Sequence, residues 1–327
     1  ATVVVLALAP VCGRMPGPSF VAAALFVGGV LYPLLGHWTW GGGWLAGLGT
    51  NFGLGHGHVD FAGSSVVHLT GGVLALVSAK QLGPRIGKYT KDGRALPIPG
   101  HNIPMVVLGT FILAFGWFGF NAGSTLAGMD TRIAVAATNT LLASASGAFA
   151  STLFVWKKFG KPDVTWMCNG MLAGLVAITA PCAFVSPNAA LLIGAIAGIL
   201  VVLVAIFVET KLRIDDPVGA IAVHGANGAW GVISLGLFAN GTYGEGLNGV
   251  AGGVRGLFYG DSGQLIAELI GVSANVIYVG LVGGLAFFLI GKVLGGNRTK
   301  AEDEIAGLDV PETGIEAYPS ATAHTTE

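Results

Sequence analysis

Two histidines in this chain occupy the same place in the same pattern. Residues 60–72 read DFAGSSVVHLTGG and residues 216–228 read DPVGAIAVHGANG. Each is Asp-x-x-Gly-x-x-x-Val-His-x-x-x-Gly, with His68 and His224 at matching positions. Each motif opens a long apolar segment. A neutral imidazole is far cheaper to bury than an ion and offers one donor and one acceptor. Two in contact could share a proton and line a narrow polar path for a small, uncharged, hydrogen-bonding molecule. A lone membrane histidine can equally be a satisfied interhelical contact, but two at repeated positions argue for a site lined by both repeats. The histidines alone also fit a second chemistry, bis-imidazole haem ligation.

The elements that must carry this pair are membrane helices. Of 327 residues, 53% are hydrophobic and only 10% charged, where a soluble domain carries about 25% charged. Mean hydropathy is +0.73. Eight apolar runs, at 18–36, 64–83, 101–125, 131–156, 165–185, 189–208, 219–240 and 265–291, suit the roughly 20 residues that cross a bilayer. The fold class expected is an all-α polytopic membrane protein with eight complete transmembrane helices. The leading ATVVVLALA is too short to cross alone and reads as one half of a further helix, so the chain is expected to lack N-terminal helices. Residues 1–298 form the transmembrane domain on this reading, and 299–327 a polar tail. The net charge of −1 says nothing about partners.

The position of the charges is more informative. Arg14, the Lys80–Arg94 group, Lys157, Lys158 and Lys161, Lys211 and Arg213, and Lys292, Arg298 and Lys300 lie in alternate connections. Only Arg132 and Arg255 lie on the other side. The basic side is therefore expected to be cytoplasmic, with the C-terminus inside. Asp60 then sits at the outer end of its span and Asp216 at the inner end of its own, as an inverted-topology repeat requires. Both aspartates are placed to cap helix N-termini; Asp60 could also draw cations to the outer mouth.

Five ordered motifs then identify the chain by resemblance. They are WGGGWLAGLG (40–49), the two histidine stretches, HNIPMVVLGTFILAFGWFGFNAGS (101–124) and GMLAGLVAITAPCAFVSPNAALLIG (170–194). Together they closely resemble the ammonium transporter family (Amt/Mep, related to Rh proteins), its bacterial members in particular. The tail GLDVPETGIEAYP (307–319) resembles that family's cytoplasmic C-terminal motif. The resemblance implies an ammonium transporter fold with a five-plus-five inverted repeat, trimeric, with one pore per subunit and multi-pass in the plasma (inner) membrane. It implies no enzymatic activity, cofactor or metal. By motif, His68 and His224 match the twin pore histidines that relay the proton. Phe120 matches one of two stacked gate phenylalanines, its partner falling before Ala1. Trp40 and Ser124 match the outer site that recruits the cation, and Asp60 the aspartate beneath it. Gly307, Asp309, Gly314 and Tyr318 belong to the regulatory tail. The implied activity is recruitment of ammonium (methylammonium being a further candidate), its deprotonation, and passage of ammonia; a sensor on the same scaffold is the alternative. A PII-type signal protein is the implied cytoplasmic partner, with Arg85–Arg94 as its expected docking surface.

The chain departs from the family pattern beside the histidines, with IAVHG for FGVHG and VHLTGG for VHINAG, and in the tail, where Thr313 and Ile315 replace a frequent His and Glu. Trp117 and Trp44 read as ordinary packing and interfacial residues. Cys12, Cys168 and Cys182 read as small packing residues. His56 and His58 could chelate a metal, although a flexible Gly-rich loop is the simpler reading of GLGHGHVD.

Overall fold

The computed structural model describes residues 1–318. Nine apolar helices organise them: α1 (Thr2–Val11), α2 (Gly17–Trp40), α3 (Ser64–Leu82), α4 (Ile103–Thr125), α5 (Arg132–Phe159), α6 (Val164–Ile178), α7 (Pro187–Leu212), α8 (Ile221–Phe238) and α9 (Ser262–Leu294). All but α1 and α6 are long and apolar enough to cross a membrane, giving seven such spans among the described residues. A two-stranded antiparallel hairpin, Asn240–Glu245 with Gly253–Arg255, joins α8 to α9.

The run at 165–185 differs from the continuous span that its composition predicts. It is helical only through Ile178; the chain then turns from Thr179 to Val185, fully buried. Non-helical backbone at membrane depth survives only where protein satisfies its polar groups. Here Asn139 of α5 donates to the carbonyls of Cys182 and Val185, each at 2.8 Å. Ser64 Oγ accepts from the Ala180 amide at 2.7 Å and donates to the Val176 carbonyl at 2.8 Å. The amides of Phe61 and Ala62 reach the carbonyls of Ala180 and Thr179. This break locks the end of α6 to the start of α3.

Helices α5, α6 and α7 pack backbone to backbone through glycines. A Cβ on Gly174 would lie 2.1 Å from the Ala143 carbonyl oxygen, and one on Gly198 2.2 Å from that of Gly147. Such close approach is what small residues allow between membrane helices.

One end of the bundle collects the basic connections. Arg14 and Arg85 both grip Asp215, at 3.5 and 2.7 Å. Burial opposes the Asp215 carboxylate, yet the bonds and charges of Arg85 and Arg14 hold its pKa below the usual range. Lys88 pairs with Glu209. Two members of the expected docking surface, Arg85 and Lys88, are thus committed internally, while Lys91 and Arg94 remain exposed. The expected 299–327 tail is folded as far as it is described. Short helices Ala301–Ala306 and Asp309–Thr313 lie against this end. Glu304 accepts from the Ile86 amide, Glu312 from the Gly17 amide that starts α2, and Tyr318 meets His101 at 2.9 Å. Asp309 accepts from the Ala317 amide, and Gly307 and Gly314 take the left-handed φ of +96° and +74° that bends the tail there. Pro319 and the rest of the tail lie outside the described residues.

Candidate functional site

The repeated motif folds the same way twice. At its first position, Asp60 takes four backbone amides, those of Gly63 and Ser64 on one carboxylate oxygen and those of Ser65 and Val66 on the other, at 2.7–2.9 Å. Asp216 takes the amides of Ala220 and Ile221 at 3.1 and 2.7 Å. At its fourth position, Gly63 and Gly219 have φ of +115° and +75°, a turn that only glycine makes without strain. The next stretches, Ser64–Leu69 and Ile221–Ala226, are both wound as π-helix, a form that concentrates at functional sites. Each carries its histidine.

The thirteenth position explains why the pattern ends in glycine. A Cβ on Gly72 would lie 2.1 Å from the Gly225 nitrogen, and one on Gly228 2.5–2.6 Å from the Ser64 carbonyl and the Leu69 nitrogen. Residues 64, 69 and 72 therefore meet 231, 228 and 225 in that order, so the two segments run antiparallel and cross at the histidines. The crossing brings His68 Nδ1 within 3.2 Å of His224 Nδ1, with the rings 5.2 Å apart and tilted by 19°.

An Nδ1–Nδ1 contact accommodates one hydrogen. In the uncharged pair one ring donates from Nδ1 and leaves its Nε2 bare, and the other accepts and carries its hydrogen on Nε2. The pair thus presents one acceptor and one donor along its Nε2 edge. His68 Nε2 is buried and has no hydrogen-bond partner among the described residues, so a small polar guest there would satisfy an otherwise orphaned atom. Haem ligation does not fit: the Nδ1 atoms already touch, leaving no plane between them for a macrocycle.

The structure groups the other expected residues around a cavity on the face opposite the basic loops. The cavity, of about 300 Å³, is lined by Trp40, Ser124, Phe120, Tyr32, Ala62 and Val67, with the first residues of α1. Trp40 is half-exposed, and its indole N–H donates to the Asp60 carbonyl at 2.6 Å. Ser124 Oγ donates to the Phe120 carbonyl at 2.7 Å, which leaves its lone pairs free to accept. Phe120 lies between this cavity and the histidines, its ring 5.5 Å from His68. Asp60 does not line the cavity; its carboxylate is turned into the helix terminus and is only 3% exposed. Asp60→Ala is expected to leave four buried amides unpaired and to lower stability by about 2–3 kcal/mol, above an ordinary cap. Thermal unfolding in detergent, with Asp163→Ala at the exposed cap of α6 as comparison, checks this.

Sequence reasoning passed over Trp117. Its ring stacks on His68 at 5.2 Å and 14°, and its indole N–H donates to Thr179 Oγ1 at 3.1 Å, so the break after α6 holds it. The available signal was its spacing: Trp117 and Phe120 are three apart and share a face of α4. His56 and His58 also differ from the reading as a flexible loop, since both are buried. Cys168 and Cys182 are buried as expected, whereas Cys12 is exposed.

These features describe a polytopic membrane protein built around a buried histidine pair beneath an aromatic vestibule. Comparison with known proteins supplies the family. A sequence model of the Ammonium Transporter Family matches residues 1–318, and the chain belongs to that family. Among similar proteins, the ammonium transporter Amt2 of Archaeoglobus fulgidus is 47% identical over 94% of this chain and 66% of its own length. The ammonium transporter Amt1 of Haloferax mediterranei is 37% identical over 94% and 59%. Among solved structures, a sensor Amt protein aligns with a TM-score of 0.85 at 36% identity, covering 95% of this chain and 74% of that one. Candida albicans Mep2 aligns at 0.78 and 30% identity, covering 92% and 64%. The chain thus spans about three-fifths to two-thirds of the length of these two curated relatives.

Proposed function

We propose that this protein moves ammonium nitrogen across the plasma membrane as ammonia, through a path lined by His68 and His224, with the basic face cytoplasmic. The observation that carries the reading is the direct Nδ1–Nδ1 contact of two buried imidazoles at the crossing of the repeated segments. On this reading the Trp40–Ser124 cavity opens outside and receives the cation, and Phe120 gates the way to the pair. Ammonium and potassium are similar in size, so a simple hole would separate them poorly. A bare ion entering a low-dielectric pore costs tens of kcal/mol in the idealised limit. A desolvated cation–π contact with Trp40 returns only about 2 kcal/mol. Ammonium can avoid the cost by giving up a proton, and potassium cannot. The donor and acceptor on the Nε2 edge suit ammonia, and the shared Nδ1 hydrogen gives a proton a relay between the rings.

The family supports a transport role rather than an enzymatic one, and a trimeric assembly with an inverted repeat, with which the antiparallel crossing agrees. Lys91 and Arg94 are the residues of the basic loop left to meet a PII-type protein. The likeness to a solved sensor Amt protein favours sensing as the second reading. Ammonium-evoked current in proteoliposomes, with potassium as the control ion, tests the proposal. Current with ammonium and none with potassium is expected. No current leaves electroneutral conduction or sensing, which stopped-flow pH changes separate.

A further inference from the structure

The segment before Asp60 holds a buried acid–base pair that the path does not use. His58 Nδ1 lies 2.6 Å from Glu268 of α9, with both side chains fully buried. The site is built for the contact. A Cβ on Gly271, one turn along α9, would fall 2.2 Å from His58 Nδ1, so the imidazole lies directly on the α9 backbone. Glu268 also accepts from the Val59 amide at 3.0 Å and from Gln264 at 2.7 Å. Gln264 in turn donates to the Gly57 carbonyl and accepts from the His56 amide. Asn248 donates to the His56 carbonyl. Residues 56–59 are thereby fixed from α9. The next peptide carries the Asp60 carbonyl, which receives the Trp40 indole N–H.

We propose that His58 and Glu268 are positioning residues for the vestibule, setting the Asp60 carbonyl and through it the tilt of Trp40. The inference rests on the transport reading above and deepens it. The pair touches neither the cavity nor the histidines, so its loss acts on capture of the cation and leaves later passage alone. The ionisable groups acting on His58 are Glu268 from α9 and, on its own segment, Asp60; Asn248 and the Leu45 carbonyl, its other neighbours, carry no charge. Burial opposes the imidazolium, but the charge of Glu268 and the bond to it outweigh burial and raise the His58 pKa. A raised pKa means that the ion pair holds at lower pH and is lost as pH rises through the folded value.

The experiment is ammonium-evoked current from the native-length protein in proteoliposomes. It compares His58→Gln, Glu268→Gln and Trp40→Leu with the wild type, titrating the ammonium ion over the same concentration series at each of several external pH values. Each clip variant is expected to raise the half-saturating ammonium concentration about tenfold, part of the roughly thirtyfold that one whole desolvated cation–π contact is worth. Maximal current should stay within about twofold, since only capture is disturbed. The wild type should show its own rise in half-saturation with alkaline pH, and His58→Gln should not. If Trp40→Leu raises half-saturation while both clip variants match the wild type, the clip role is overturned and the transport reading stands. If Trp40→Leu itself changes nothing, recruitment at Trp40 fails and the clip role with it. Should a clip variant not fold, the wild-type pH profile decides: a flat profile overturns the proposal.

Discussion

His68→Ala and His224→Ala are each expected to cut the ratio of ammonium to potassium current by about tenfold or more. Either change removes one half of the Nδ1–Nδ1 contact and leaves the other buried nitrogen without its partner, at a cost of about 1–3 kcal/mol. A tenfold change in rate corresponds to about 1.4 kcal/mol, so an effect on this scale is readily seen. The ratio is the informative quantity, because alanine also widens the path. Ammonium current can fall through loss of the proposed relay, or potassium current can rise through the space opened, and both lower it. His68 should be the more sensitive position, since Trp117 and Phe120 both rest against its ring. Wild-type ratios in both variants would exclude the pair as the selective element. The double variant should add little beyond either single one, since the two rings act as a unit.

Gly72→Ala is expected to be among the most damaging single-methyl changes in the described residues. The new Cβ would sit 2.1 Å from the Gly225 nitrogen and 2.3 Å from its Cα. Those neighbours are backbone and cannot rotate away. Overpacking of this kind costs about 1–3 kcal/mol or more. At this size a fall of roughly 2–5 °C in the melting midpoint follows. Because Gly225 adjoins His224, the shift should also part the histidines. Gly109→Ala, in the middle of α4 with open space around its Cβ position, is the control, and should be neutral or gain up to about 1 kcal/mol from helix propensity. Size-exclusion thermal stability in detergent reads both, and equal midpoints for the two variants would sink the argument.

Much of this was legible because one pattern encodes its own geometry. The aspartate, the left-handed glycine, the histidine and the closing glycine of each motif take the same roles in both copies, and their spacing alone placed the two imidazoles in matched positions. The charge distribution likewise separated the two faces. What stayed hidden depended on partners distant in sequence. In AITAPCAFV only Pro181 signals that the helix stops at Ile178; what stayed hidden is how a break at membrane depth is tolerated, because the carbonyls released there are satisfied by Asn139 and the amide of Ala180 by Ser64, far along the chain. Trp117 looked like packing because its role comes from stacking on a ring of another helix. GLGHGHVD looked flexible from its glycines, which serve instead to admit neighbouring backbone and side chains: a Cβ on Gly57 would meet the Ala46 carbonyl at 2.3 Å. The polar tail, over its described residues, is tied down by Glu304 and Glu312.

The crossing of α3 and α8 also constrains how the machine can move. With glycine backbones interlocked at Gly72 and Gly228, neither segment can slide or pivot on the other without steric collision. Rocking of two rigid halves about a central occupant, the usual cycle of coupled carriers, would have to break this joint at every turnover. Between such interlocked backbones the groups left to move are side chains, and Phe120, whose ring packs on His68 and Trp117, is the one that stands between the cavity and the histidines. On the transport reading proposed above, a throat that opens by side-chain rotation and not by domain motion makes the protein nearer to a conduit than to a revolving door.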